Sequence, residues 1–125
     1  MKRRHRLSRS RDFDAVYRRG RSVSTRYLVL YSFPRPESEE ADEEPRLGLA
    51  VSRKVGGAVA RNRLKRRLRS AFDELETPLR PGVDYVLVAR SGLAETAEAR
   101  GFPWLGERVA EAFSLAENTE RGARA

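Results

Sequence analysis

The chain has 125 residues, 39% of them apolar and 35% charged, enough for a single domain with a modest core beneath a strongly charged surface. It contains no cysteine, which excludes disulfides, thiolate zinc sites and thiol nucleophiles, and no run approaches the roughly 20 apolar residues that span a bilayer. The net charge is +8, and the basic start MKRRHRLSRS is not followed by an apolar signal segment, so the expectation is a soluble cytoplasmic protein, monomeric when free.

Residues 1–9 are basic and lack periodicity, as expected of a mobile arm. Ser10 is placed to N-cap a helix with Asp12 in its first turn and Gly20 as its stop. Within it Phe13, Val16 and Tyr17 fall at i, i+3 and i+4, one apolar stripe. Ser22–Phe33 (SVSTRYLVLYSF) is rich in β-branched and aromatic residues and reads as extended, with a bend near Thr25. Residues 36–45 (PESEEADEEP) hold six acids and no base, an acidic loop that reads as a solvated insertion. Arg46–Arg53 (RLGLAVSR) alternates as the next strand. Gly56-Gly57 interrupts the pattern before a long helix from about Ala58 to Glu76, which TPLRPG ends. Val83–Ala89 (VDYVLVA) is almost continuously apolar, the mark of a central strand. A last helix from about Pro103 uses Trp104, Leu105, Val109, Ala112, Phe113 and Leu115 before a polar tail over 118–125. The order predicts one α+β domain over 1–125, a two-layer sandwich with a single, mostly antiparallel sheet.

Charge is concentrated rather than spread. The first 26 residues hold ten Lys or Arg against Asp12 and Asp14, and Arg53–Arg69 holds eight with no acid. A merely solvated surface intersperses both signs on each element. Two basic regions on a small domain point instead to a polyanion, chiefly nucleic acid.

The second basic region lies on an element that must also pack. At about 100° per residue, Ala60, Leu64, Leu68, Ala71, Phe72 and Leu75 gather into a core-facing stripe. Asn62, Arg63, Lys65, Arg66 and Arg69 occupy the other side, with Arg61 and Arg67 flanking the stripe. Arg offers bidentate forks to phosphate oxygens, and Asn62 a donor and an acceptor to a ribose or base edge.

The sheet carries an independent signal. Leu47, Leu49 and Val51 face one side of their strand, and Gly48, Ala50 and Ser52 the other, leaving a floor of small residues. The preceding strand is expected to place Tyr27, Val29, Tyr31 and Phe33 on one face, with Phe13 and Tyr17 as a wall. Rings beside a shallow groove with a basic rim suit single-stranded nucleic acid. The same spacing more often serves a plain core, and the residues alone leave the two open.

Nothing in the chain makes a catalytic centre. The single histidine, His5, lies in the basic arm, and the carboxylates Asp12, Asp14, Asp73, Glu74 and Asp84 are scattered, most of them explained by helix termini. No Ser-His-Asp set is present, and Gly56-Gly57 lacks the Lys-Ser/Thr context of a phosphate loop. Catalytic and metal-ligating residues are therefore expected to be absent.

ARNRLKRRLRSAF (60–72), preceded by VSRKVGGAV, resembles the arginine-rich signature of the bacterial ribonuclease P protein subunit. RDFDAVYRRGRSVSTRYLVLY, RLGLAVSRK and VDYVLVAR resemble the family's first helix and strand, its next strand and its last; the acidic loop is longer than usual, and the final helix matches only in amphipathic character. The resemblance implies a ribosomal protein S5 domain 2-like sandwich with a left-handed crossover, against the usual β-α-β preference. It implies that Arg61, Asn62, Arg63, Lys65, Arg66, Arg67 and Arg69 face the catalytic RNA, Arg67 least securely. Phe13, Tyr17 and Tyr31 would line a cleft for the 5′ leader of precursor tRNA, rimmed by Arg53, Lys54 and Arg90. Hydrolysis would belong to the RNA and its bound magnesium. The rival readings are a non-enzymatic RNA-binding protein, such as a ribosome-associated factor, and a stand-alone protein nuclease, which the missing catalytic centre disfavours.

Overall fold

The computed structural model describes residues 10–34, 45–75, 79 and 82–124. The basic arm and all of the acidic loop except Pro45 lie outside the described residues. In chain order the elements are α1 (Ser10–Arg19), β1 (Arg21–Ser24), β2 (Leu28–Pro34), β3 (Arg46–Ala50), a 3-10 turn (Arg53–Val55), α2 (Ala58–Asp73), β4 (Val83–Ala89), α3 (Leu93–Arg100) and α4 (Phe102–Arg124).

The expected bend near Thr25 is a full reversal. Thr25 N–H donates to the Leu28 carbonyl at 2.8 Å, and Leu28 N–H donates to Thr25 Oγ1 at 3.1 Å. This local pairing folds β1 back on β2 as an antiparallel hairpin, with Ser22 opposite Tyr31 and Ser24 opposite Val29. The sheet order is β1-β2-β4-β3. β2 and β4 are antiparallel, whereas β3 and β4 are parallel with α2 carrying the connection, so the sheet is mixed. β4 is interior, which is why its sequence is apolar at almost every position.

One face of the sheet packs on α2, α3 and α4. Leu28, Leu30, Leu47 and Leu87 meet Leu64, Leu68 and Phe72 of α2 and Leu105, Val109 and Phe113 of α4, with Phe113 set edge-on to Tyr85 at 5.0 Å. The other face carries a smaller cluster, Val16 of α1 on Val86, with Phe13, Tyr31, Phe33, Ala50 and Val88 around it. Tyr27 departs from the expected face. It precedes β2 and packs toward the larger core, edge-on to Trp104 at 5.0 Å. Ala60 is exposed, because the first turn of α2 projects beyond the core.

Two elements differ from the sequence pattern. α3 was not foreseen: only Leu93 and Ala97 are buried, too narrow a stripe to register as amphipathic. Its usable signal was punctuation, since Gly101 ends it at φ 93°, a left-handed conformation other residues rarely adopt, with its N–H on the Ala97 carbonyl at 2.8 Å. α4 in turn continues through the polar residues after Leu115 to Arg124.

Gly20 fixes how α1 meets the sheet. Its N–H donates to the Val16 carbonyl at 2.8 Å, and a Cβ there would run into that oxygen and come within 2.7 Å of the Ser32 carbonyl. Gly20→Ala is therefore expected to destabilise the fold by about 1–3 kcal/mol, the range for forced overpacking. A thermal melt checks this, and an unchanged midpoint would show that α1 is not held at that distance.

Candidate nucleic-acid interface

The first surface lies where α1 crosses the sheet. α1 packs chiefly on β2 and β4, leaving the small side chains of β3 beside it. Strand alternation puts Val29, Tyr31 and Phe33 of β2, Asp84, Val86 and Val88 of β4, and Arg46, Gly48 and Ala50 of β3 on this face, in the register Tyr31–Val86–Gly48. Phe13, Tyr17 and Tyr31 come together as expected. Tyr17 is 6.3 Å from Phe13 and stands edge-on to Tyr31 at 4.9 Å. Val16, between the other two stripe residues, is fully buried and anchors the helix, while Tyr17 remains 40% exposed. The spacing thus serves both purposes left open by the sequence: the stripe is core at Val16 and available ring at Tyr17. Burial, and after it the neighbouring Tyr31, raise the Tyr17 phenol above its ordinary value, so at neutral pH it offers a hydroxyl rather than an anion to a phosphate.

The rim residues gather at the end of the sheet where the parallel strands finish. Arg53 and Lys54 are exposed on the 3-10 turn after β3, and Arg90 is exposed directly after β4. Because Ala50 pairs with Val88, these two strand ends are neighbours. Arg90 is also a fastening: its N–H donates to the Tyr27 carbonyl at 2.9 Å and its Nη1 to the Thr25 carbonyl at 3.0 Å, tying β4 to the β1–β2 turn.

At the opposite end of the floor sits a pair that residue counting did not find. Arg46 Nε donates to Asp84 Oδ1 at 2.8 Å and Nη2 to Oδ2 at 2.7 Å, a bidentate clasp across the β3–β4 pairing. Asp84 is only 3% exposed. It is a structural anchor for the edge strand, lying in the central strand where the sequence pattern put it.

The second surface is α2, which packs on the opposite face of the sheet. Leu64, Leu68, Ala71 and Phe72 are buried as the angular pattern required. Asn62, Arg63 and Arg66 are exposed, and Arg61, Lys65, Arg67 and Arg69 are partly so. Arg61 lies low on the helix flank, its Nε buried without a hydrogen-bond partner among the described residues. Arg63 and Arg67 are held by a residue the sequence did not suggest: Glu98 of α3, whose Oε1 accepts from Arg63 Nη1 at 3.1 Å and Arg67 Nη1 at 3.2 Å. The 3-10 turn with Arg53 and Lys54 lies between β3 and the start of α2, so the surface beside α1 and the basic arc of α2 belong to one small domain.

The family model for ribonuclease P matches residues 1–104, which include both surfaces. The chain belongs to the ribonuclease P protein family. It is 48% identical over 91 residues to the ribonuclease P protein component of Shouchella clausii, covering 73% of this chain and 71% of the relative. With that of Geobacillus kaustophilus it shares 43% identity over 95 residues, 76% of this chain and 75% of the other. Among solved structures, the protein from Thermotoga maritima superimposes with a TM-score of 0.73 at 31% identity, covering 85% of this chain and 92% of its own. The Staphylococcus aureus protein gives a TM-score of 0.73 at 27% identity, over 90% and 94%. The α+β fold with its mixed four-stranded sheet is the fold of this family.

Proposed function

We propose that this chain is the protein subunit of a ribonuclease P ribonucleoprotein, assisting endonucleolytic removal of the 5′ leader from precursor tRNA. The observation that carries the reading is the placement of a basic arc and a group of aromatic rings on opposite faces of one domain: the α2 arc on one and the Phe13–Tyr17–Tyr31 wall on the other. A single binding module needs one surface; a bridge between a catalytic RNA and its substrate needs two.

In this reading Arg61, Asn62, Arg63, Lys65, Arg66, Arg67 and Arg69 dock on the RNA subunit, and Phe13, Tyr17 and Tyr31 contact leader bases. Arg53, Lys54 and Arg90 follow the leader backbone. Docking neutralises phosphates and lowers the magnesium needed for the active RNA fold, while the leader grip favours precursor over mature tRNA. The chain supplies position and charge, and the RNA supplies the catalytic centre. Among the described residues no three His, Cys, Asp or Glu side chains group as metal ligands, and Asp84, the acid on the cleft floor, is engaged by Arg46. In this reading magnesium would be held mainly by the RNA and would there stabilise the charge that develops in phosphodiester hydrolysis. No helix among the described residues is long and apolar enough to cross a membrane.

The deciding experiment mixes the protein with a bacterial ribonuclease P RNA and precursor tRNA at low magnesium. Stimulated 5′ maturation, with none from protein alone, is the expected result. Absence of stimulation would favour a non-enzymatic RNA-binding role, and cleavage by protein alone a protein nuclease. Arg66→Ala is expected to weaken RNA-subunit binding and to reduce the salt slope by about 0.7–0.9, one phosphate contact. A salt titration of the binding constant reads this directly, and an unchanged slope places the RNA away from Arg66.

A further inference from the structure

We propose that Glu98 sets the edge of the RNA footprint on α2 by masking the Arg63–Arg67 flank. This rests on the reading of α2 as the RNA-docking helix and refines it: a residue outside that helix leaves Arg63 and Arg67 a weaker share of the docking than the rest of the arc. Arg63 and Arg67 are one helical turn apart and project from the same flank. α3 is packed beside that flank through Leu93 and Ala97, which are buried, so Glu98, next after Ala97, is delivered to the two guanidinium groups. A single oxygen, Oε1, accepts from both. The carboxylate is half-exposed, so the pair adds little to stability. Its effect is on the field: one negative charge at the end of two cations cuts the attraction that flank offers a phosphate.

RNA approaching α2 therefore meets an asymmetric helix. The crest of Asn62 and Arg66 and the flank of Lys65 lead away from α3, while the Arg63–Arg67 flank ends against a fixed anion. A phosphate that takes those two guanidinium groups must compete with Glu98, because the packing of α3 keeps that carboxylate within reach of both. Phosphates are accordingly directed toward the crest and the Lys65 side, which gives a register to contacts that are otherwise independent of sequence.

The test is binding of a bacterial ribonuclease P RNA across a salt series. Glu98→Gln is expected to bind roughly five-fold more tightly, the factor for one unit charge about 4 Å from a phosphate in water. Its salt slope should steepen by about 0.7–0.9 as one more phosphate is neutralised. In an Arg63→Ala/Arg67→Ala background the same change should have no effect. Unchanged or weaker binding by Glu98→Gln, or a gain that persists in that background, overturns the proposal. Arg66→Ala in the same series separates the two levels. If it weakens binding while Glu98→Gln does nothing, only the masking role fails; if it has no effect, the docking reading fails and takes this one with it.

Discussion

Tyr31→Ala is expected to lower affinity for precursor tRNA by roughly five- to hundred-fold, the loss of one base stack worth about 1–3 kcal/mol, while affinity for mature tRNA is retained. Tyr31 lies mid-strand on β2, opposite Val86, and its ring is the floor against which Tyr17 stands edge-on at 4.9 Å. Removing it deletes one stacking surface and loosens the second, since Tyr17 loses the neighbour that orients it. Tyr31→Phe keeps the ring and should keep the discrimination, which separates stacking from a hydroxyl contact. The measurement is a pair of binding constants for each variant, one for precursor and one for mature tRNA. Equal losses in both would sink the two-surface model, because a residue on the cleft face would then be acting on the shared body of the tRNA or on the fold as a whole. A melting curve for Tyr31→Ala guards against the latter.

The second large effect is on stability. Asp84→Ala should cost about 3 kcal/mol, the scale for removing one partner from a buried ion pair. Arg46 retains 28% of its side-chain exposure and can recover some hydration, which keeps the loss at the lower end of that scale. The strain falls on β3, an edge strand with only β4 to hold it. Its small residues form part of the cleft floor, so leader binding should weaken along with the fold. Replacing both partners, as in Arg46→Met/Asp84→Leu, should recover much of the stability, because no unpaired charge is left behind. Urea unfolding of the two variants decides the matter. A single mutant as stable as the parent would mean that the clasp contributes nothing to the β3–β4 register.

Residues that act through local periodicity were legible before any coordinates. Leu64, Leu68, Ala71 and Phe72 had to share a face of α2, since a helix rotates each residue by a constant angle, and the charges on the same helix were thereby assigned to the rest. Leu47 and Ala50 were likewise assigned to opposite faces of β3 by strand alternation. Tyr27 broke that rule because it sits in the turn before β2, where the alternation has not begun, and Trp104 draws it to the other side.

The sequence by itself determined the cationic character of this protein, its family signature, the two-faced helix and the aromatic stripe of α1, all of which are read from composition and from spacings of at most a few turns. Tertiary structure alone decided which of those cations meet an acid. Glu98 is 35 residues from Arg63, and Asp84 is 38 from Arg46. No local pattern relates such positions, because the distance between them is set by how helices pack and strands pair rather than by the geometry of one element. Gly20 is mixed: the Val16 carbonyl that blocks a Cβ there is local, but the Ser32 carbonyl that also blocks it belongs to a strand. Charge content was written in the chain; its arrangement into one masked flank, one open crest and one pinned edge strand required the fold.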